Sequence, residues 1–337
     1  MSCLPIFNGS ELFSYFTFPA TLVVNSLLIY LTIFHTKKIY KTYKLLIVIF
    51  ALYFLIFSFL EWIINPFNHS YNYGYVFFTF HEKYDLGVQT AIMLVYVSLF
   101  NSVNSFFCVL FIYRYWALIQ STFIKLFEGC NILIWVGYSQ ICGIASSIII
   151  YIFCKPDKFA KEYMRDIIFE KYNKTPENIS AFYVIVYQPC GDELCMRWVG
   201  LVFMGLTTII MSTSALIITY CAYNMHKKMN QMLESCSKSN QILQRQFFRA
   251  LMLQATAPLF TFFIPVFILF VALFSGKEFD FPSGIVFTSF AIYPAIDSII
   301  LLVVVQEYRN GFRKALRLKS SEVYATAAVT GASETHF

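Results

Sequence analysis

Charge is what this chain has least of. Only 13% of its 337 residues are Asp, Glu, Lys or Arg, roughly half the share usual in a soluble protein, and 58% are hydrophobic. A water-soluble fold could not cover so much apolar surface, whereas a bilayer accepts it as solvent. The two or three soluble domains that length alone would allow are therefore excluded. Other absences narrow the chemistry. The sequence holds no Gly-rich phosphate loop, no evident nucleophile–base pair and no Cys-x-x-Cys metal spacing, and its five His residues are scattered. His69 and His81 share one segment, but two His without further ligands are ordinary surface residues. Neither an enzyme, a cofactor nor a metal is expected. The first eleven residues carry no Lys or Arg, so the charged start of a cleavable signal is missing. The first apolar run reads instead as a signal-anchor helix, and no lipidation motif is expected at either end.

What the chain does have is long apolar runs, at 12–34, 45–67, 86–113, 129–153, 198–223, 250–274 and 281–306. Each exceeds the roughly 20 residues, at about 1.5 Å apiece, that cross the hydrocarbon. The many Phe, Val and Ile residues would favour strands in water. In lipid the backbone must satisfy itself within the segment, so helix wins. The expectation is an all-α membrane protein: a seven-transmembrane helix bundle over 12–306, after an extracellular N-terminus at 1–11. Glu61 and Asp297 are the only acids in these runs, and none contains Lys, which excludes a retinal Schiff base.

Orientation follows from the positive-inside rule. With the N-terminus outside, the cytoplasmic segments hold 16 of the 25 Lys and Arg residues and a net charge of +11. Seven of the other nine lie in the long segment 154–197, where seven acids cancel them. Glycosylation sequons at Asn8, Asn68, Asn173 and Asn178 all fall on the side assigned to the outside. The basic inner face suits anionic membrane lipids and an acidic cytosolic partner, not nucleic acid. Within 154–197, residues 158–171 have the alternating pattern of a short helix. Residues 224–249 read as cytosolic extensions of helices five and six. Residues 307–319 set Tyr308, Phe312 and Leu316 four apart, with Arg309, Arg313, Lys314 and Arg317 on other faces, the pattern of an amphipathic cytoplasmic helix. Residues 320–337 read as a disordered cytoplasmic tail.

Several residues stand out as functional candidates. Arg114 ends the third run; it either snorkels to headgroups or meets a partner's carbonyls, with Tyr115, Lys227, Lys228 and Arg245 beside it on the inner face. Asp297 lies three residues after Pro294 in the seventh run, so a helix bend and a buried acid sit together, a candidate switch. Its structural alternative is a protonated acid bonded to Asn25 or Asn104. Glu61, near the outer end of the second run, could reach the interface or a ligand. Gln89, Met93, Tyr96 and Phe100 fall at helical spacing on the third run, and Phe263, Phe290 and Tyr293 could face them. With no buried Lys or Arg, a site there would take a small neutral or weakly polar molecule. Cys154 paired with Cys190 or Cys195 would staple the long outer segment, although connectivity is not readable from sequence.

Short stretches resemble a known family. Asn25-Ser-Leu-Leu-Ile-Tyr30, Tyr43-Lys44, Pro66-Phe-Asn-His-Ser-Tyr71, Tyr113-Arg-Tyr-Trp-Ala117, Gln246-Phe-Phe-Arg-Ala-Leu-Met-Leu-Gln254 with Pro258 and Pro265, Tyr293-Pro-Ala-Ile-Asp297 and Tyr308-Arg309 occur in order. Together they are similar to the nematode Str-class seven-transmembrane chemoreceptors, over nearly all of the chain up to about Lys319. Ser298 and Thr42 depart from the family's usual Pro and Gly. The resemblance implies an external chemical or odorant ligand, a heterotrimeric G protein as partner, and the plasma membrane of a sensory-neuron cilium. A ligand-gated cation channel with its N-terminus inside is the rival reading. A transporter is a third, but it would be expected to show an internal repeat, and none is visible.

Overall fold

The computed structural model describes residues 3–79, 84–191, 193–233, 237–274, 280–284, 288 and 290–316. His81, Cys236, Arg317, Lys319 and the tail at 320–337 lie outside them. In chain order the elements are α1 (Leu4–Phe34), α2 (Lys41–Ile64), β1 (Phe67–Tyr71), β2 (Gly74–Thr79), α3 (Leu86–Leu118), α4 (Ile132–Phe153), α5 (Lys158–Tyr172), β3 (Ser180–Ile185), β4 (Tyr187–Cys190), β5 (Glu193–Met196) and α6 (Trp198–Leu233). There follow α7 (Lys238–Pro258), a π-helical turn at Leu259–Phe263, α8 (Ile264–Phe274), β6 (Asp280–Phe281), α9 (Tyr293–Val304) and α10 (Gln306–Ala315). Five helices are long and apolar enough to cross a membrane, and α8 and α9 are shorter apolar helices.

Helix ends shift from the apolar runs for local reasons. α1 begins at Leu4, with Pro in its first turn, where a missing N–H costs nothing. The stretch expected as an extracellular tail is therefore mostly helix. Its polar face survives because Ser10 Oγ donates to Phe7 O at 2.8 Å and Ser14 Oγ to Ser10 O at 3.2 Å. α2 stops at Ile64 because Asn65 takes a left-handed φ of 44° as its C-cap, which sends Phe67 into a strand. α6 and α7 run beyond the apolar spans into polar sequence, as expected for residues 224–249. The seventh run divides at Val305, whose ψ of 118° ends α9; α10 then turns away with Tyr308 buried and Phe312 and Leu316 exposed. α3 and α4 approach closely at Gly143, where any Cβ would collide with Ser102 and the backbone of Ser98.

The structure adds a layer that the all-α expectation omits. On the face of the bundle carrying the N-terminus, which charge assigns to the outside, four strands pair in the order β3-β2-β1-β6. β1 and β2 form a hairpin with Tyr71 opposite Gly74, and β2 runs antiparallel to β3 with Phe77 opposite Phe182. Alternate side chains serve two cores. Phe77, Phe182 and Val184 join the main core of the helix bundle. Val76, Phe78, Ala181, Tyr183 and Ile185 pack instead with Phe7, Met164, Ile168 and Tyr172 from α1 and α5. The sheet thus lies between the bundle and α5. Gly74 is required there, since a Cβ would sit 2.9 Å from Met164 and 3.0 Å from Ile185. α5 itself, close to the expected 158–171, is N-capped by Asp157, whose Oδ1 accepts from Ala160 N at 2.7 Å.

Two sequence-level expectations on this face are corrected. The disulfide joins Cys190 to Cys195 across the β4–β5 hairpin, and Cys154 is a free, buried thiol. The pairing with Cys154 fails because that residue closes α4 beneath β3, its carbonyl accepting from Tyr183 N at 2.9 Å. Asn68, expected to carry a glycan, is 1% exposed inside β1, and a folded chain has no room for a sugar there. Asn8, Asn173 and Asn178 are exposed.

A polar cluster ties the layer together. His69 Nε2 lies 3.0 Å from Asp280 Oδ1, Lys171 Nζ lies 2.7 Å from Asp280 Oδ2, and His69 Nδ1 meets the Tyr172 hydroxyl at 2.8 Å. Burial pulls the imidazole down to about 4, against the upward pull of Asp280, while the bond to Asp280 raises Lys171. An unfolded chain would protonate His69 near its ordinary 6.5. As pH falls through that window, the unfolded state takes up a proton that the folded state refuses, so stability drops and then levels off below about 4. The loss should approach about 3 kcal/mol. Thermal melting from about pH 7 to about 4.5 checks this; His69→Gln should flatten the profile, and an unchanged slope in that variant would contradict it.

Candidate functional site

The bundle interior carries three polar or aromatic constellations, each built by residues from different helices. The innermost surrounds Arg114, at the cytoplasmic end of α3. This guanidinium is only 6% exposed. Its Cζ lies 4.6 Å from the ring centroid of Tyr43 on α2 and 4.6 Å from that of Phe247 on α7. Tyr43 is in turn stacked on Tyr113 at 5.4 Å and meets Phe247 edge-on at 5.0 Å. No acidic side chain pairs with Arg114 among the described residues. Desolvated cation–π contacts are worth about 2 kcal/mol each, and these two rings belong to different helices. The cage therefore holds α7 against α2 and α3. Tyr115, expected on the partner-facing surface, is also buried and packs against Tyr220 of α6 at 6.0 Å.

One layer closer to the middle of the bundle, Asp297 of α9 is 1% exposed. Gln254 Nε2 of α7 donates to its Oδ2 at 2.7 Å, and the Tyr293 hydroxyl lies 3.0 Å from its Oδ1. Tyr293 also donates to Gln254 O at 3.1 Å. That carbonyl needs a donor because Pro258, four residues on, has no N–H. The proline in α7 and the acid in α9 are thus parts of one network. Asn25, expected as a partner for the acid, instead accepts from Ser298 Oγ at 2.8 Å and donates to Pro294 O at 3.3 Å. Asn104 donates to Phe100 O at 3.0 Å within its own helix. Distance decides this: Gln254 comes from the neighbouring helix at the same depth. A cavity of about 10 Å³, lined by Tyr43, Leu110, Gln254, Asp297 and Ser298 among others, lies against this node and is about the size of one water.

Nearer the outer face is a cluster of rings. Phe57 stacks on Tyr96 at 5.1 Å and lies 6.2 Å from Phe100 and 6.4 Å from Phe290. Phe290 meets Phe100 at 5.3 Å and Tyr293 at 5.0 Å. Four of the seven ligand candidates, Tyr96, Phe100, Phe290 and Tyr293, therefore come together, with Phe57 as a member that sequence reasoning missed. Met93 and Gln89 lie higher on α3: Ser180 Oγ of β3 donates to Met93 Sδ at 3.5 Å, and Gln89 Nε2 donates to Tyr84 O at 2.7 Å. Phe263 sits in the π-helical turn, partly buried against the core. Phe77 and Phe182 of the sheet share the core with these rings, so the strands roof the cluster. Glu61 does not reach the interface. It is 4% exposed, with the hydroxyl of Tyr96 close to its carboxyl.

The cytoplasmic face carries the remaining candidates. Lys227, Arg245 and Arg309 are exposed and Lys228 half-buried. Arg245 donates to Asn230 Oδ1 at 3.1 Å, bridging α7 to α6. The Tyr308 hydroxyl lies 3.0 Å from Thr32 Oγ1, and Gln246 Oε1 accepts from Gln306 N at 2.9 Å. These contacts seat α10 against α1 and α7. Arg309 folds back onto the carbonyls of Val303 and Val304 at the end of α9.

The fold has solved counterparts. The chain superposes on squid rhodopsin with a TM-score of 0.58, covering 92% of this chain and 80% of that one at 11% identity, which establishes a seven-transmembrane receptor fold. A family model described as serpentine type 7TM GPCR chemoreceptor Str matches residues 10–313. The chain belongs to the Str family of serpentine chemoreceptors. It is 34% identical to the G-protein coupled receptor str-33 of Caenorhabditis elegans over 87% of both chains, and 26% identical to the serpentine receptor class r-10 of the same organism over 87% of this chain and 86% of that one. As a Str receptor it is a multi-pass membrane protein of the G-protein-coupled chemosensory type. Family and fold are those of a receptor rather than an enzyme. The matched region takes in all three interior constellations and α10 up to Arg313.

Proposed function

We propose that this Str receptor sits in the plasma membrane of a sensory-neuron cilium and detects a small external chemical, an odorant, in the ring cluster under the sheet. Occupancy there shifts a pre-existing equilibrium of α7 and α9, and α7 carries Phe247 away from Arg114. The freed guanidinium, with Tyr115, Lys227, Lys228 and Arg245 around it, engages a heterotrimeric G protein, while anionic lipids meet the rest of the basic inner face. Pro294, Asp297, Tyr308 and Arg309 form the switch that carries the motion to α10. Asn8, Asn173 and Asn178 carry glycans on the outer side. The observation that carries the reading is continuity: Phe290 and Tyr293 stack on each other, Tyr293 bonds the Asp297–Gln254 node, and Gln254 shares α7 with Phe247. Ring cluster, node and cage are thus contiguous across two helices. Expression with a calcium-coupled Gα subunit and a screen of volatile compounds tests it. A compound-evoked response that disappears without the G protein is expected; a response that persists without it would point to a channel and overturn the proposal.

A further inference from the structure

Among the described residues, two acids are buried among the membrane helices, and their surroundings differ. Asp297 has a donor on each carboxyl oxygen, from Gln254 and Tyr293. Glu61 has only the Tyr96 hydroxyl nearby, and its Oε2 is buried with no hydrogen-bond partner. An unpaired carboxyl oxygen in an apolar bundle is costly, and such groups persist where something else completes them. The walls around Glu61 indicate what that is. Phe57 lies one helical turn below it on the same face of α2, stacked on Tyr96 at 5.1 Å. Phe77 of the sheet lies 6.3 Å from Tyr96 on a near-parallel plane, and Phe290 closes the lower side at 6.4 Å from Phe57. A carboxylate beside a cluster of aromatic rings is the chemistry that selects a small cation. Carboxylate oxygens accept from an ammonium, and ring faces attract its charge and bury its carbon skeleton.

We propose that Glu61 is the counter-ion for a protonated small amine bound among Phe57, Phe77, Tyr96 and Phe290. This rests on the receptor reading above and replaces its expected neutral ligand with a cationic one. The neutral expectation came from the scarcity of charge in the spans. It left Glu61 open to the interface or a ligand, and the structure turns it inward. The Tyr96 hydroxyl orients one carboxyl oxygen and leaves the other to the ligand. Asp297 serves no such role because both its oxygens are occupied.

The test compares isopentylamine with isopentanol, which share a carbon skeleton, and phenethylamine with phenethyl alcohol. Binding is read as the melting shift of the purified full chain in detergent, so no G protein is needed. Glu61→Gln keeps the size of the side chain and an acceptor for Tyr96, and its own melting temperature reports that it folds. At least one amine should bind about 30-fold or more tightly than its alcohol, as expected of a buried charge pair, and Glu61→Gln should remove that preference. Equal shifts from amine and alcohol, shifts only from the alcohols, no shift from either, or a preference that survives Glu61→Gln would each overturn the proposal. G-protein signalling of a ligand-independent variant such as Phe247→Leu is read separately. If that signal is present while the amine preference is absent, the receptor reading stands and only the ligand assignment falls.

Discussion

Replacing Phe247 with Leu is expected to raise ligand-independent G-protein signalling, by up to about 30-fold in the ratio of open to closed receptor. The substitution keeps an apolar side chain on α7 and leaves Arg114 intact, so the surface proposed to meet the G protein is unchanged. It removes one of the two rings that lie 4.6 Å from the guanidinium. Losing one desolvated cation–π contact costs about 2 kcal/mol, and each 1.4 kcal/mol is about tenfold in an equilibrium. The remaining contact, to Tyr43, does not cross to α7, so α7 is released specifically. Tyr43→Leu should act in the same direction but less strongly, because Phe247 would still bridge Arg114 to α7. Basal signalling is measured against surface expression in cells lacking other receptors. If Phe247→Leu signals no more than the unaltered chain at equal surface level, the cage does not hold the resting state.

The second large effect is at the node. Asp297→Leu takes the acceptor at 2.7 Å from one N–H of Gln254 Nε2 inside the bundle, leaving that group only its 3.3 Å bond to the backbone carbonyl of residue 297. An unpaired buried donor costs about 1–3 kcal/mol, and cavity or overpacking terms add to it. The purified receptor should melt several degrees lower and lose most ligand-evoked signalling, since α7 and α9 keep only the Tyr293–Gln254 bond and the backbone contact of residue 297 at this depth. Asp297→Asn is expected to be far milder. Its amide oxygen accepts from Gln254, and its nitrogen donates to the Tyr293 hydroxyl, whose own proton then turns wholly to Gln254 O. A Leu variant as stable as the Asn variant would show that the network contributes little.

Much of the architecture was legible in the sequence, because the constraints that determine it are local. A span must be apolar over its length and must satisfy its own backbone, so the apolar runs announced the helices, and polar residues after 223 continued α6 as expected. The amphipathic spacing of Tyr308, Phe312 and Leu316 corresponds to α10, although Tyr308 is buried by its bond to Thr32 while the other two remain exposed. The outer sheet was not legible. β2 and β3 are covered on both sides, by bundle and by α5, so neither shows the apolar–polar alternation that marks a strand with one face in water. Pairing of β6, only two residues long, with β1 has no sequence signal at all.

The candidate site divides in the same way. That Glu61 and Asp297 matter follows from the cost of an acid in hydrocarbon, a property of each residue in its own helix. Which groups complete them does not. Gln254 rather than Asn25 or Asn104, Tyr96 for Glu61, and two aromatic rings rather than a carboxylate for Arg114 are all outcomes of how neighbouring helices rotate and cross. The cysteines behave alike: the sequence assigned Cys154, Cys190 and Cys195 to the oxidising side, and only the fold placed Cys190 opposite Cys195. The sequence by itself determined the spans, the basic inner face and the buried acids, since transfer into lipid is set residue by residue. The tertiary structure decided the sheet, the cage, the node and the direction Glu61 faces. Helix–helix packing in a membrane rests on close contacts between segments far apart in the chain, and no local pattern encodes them.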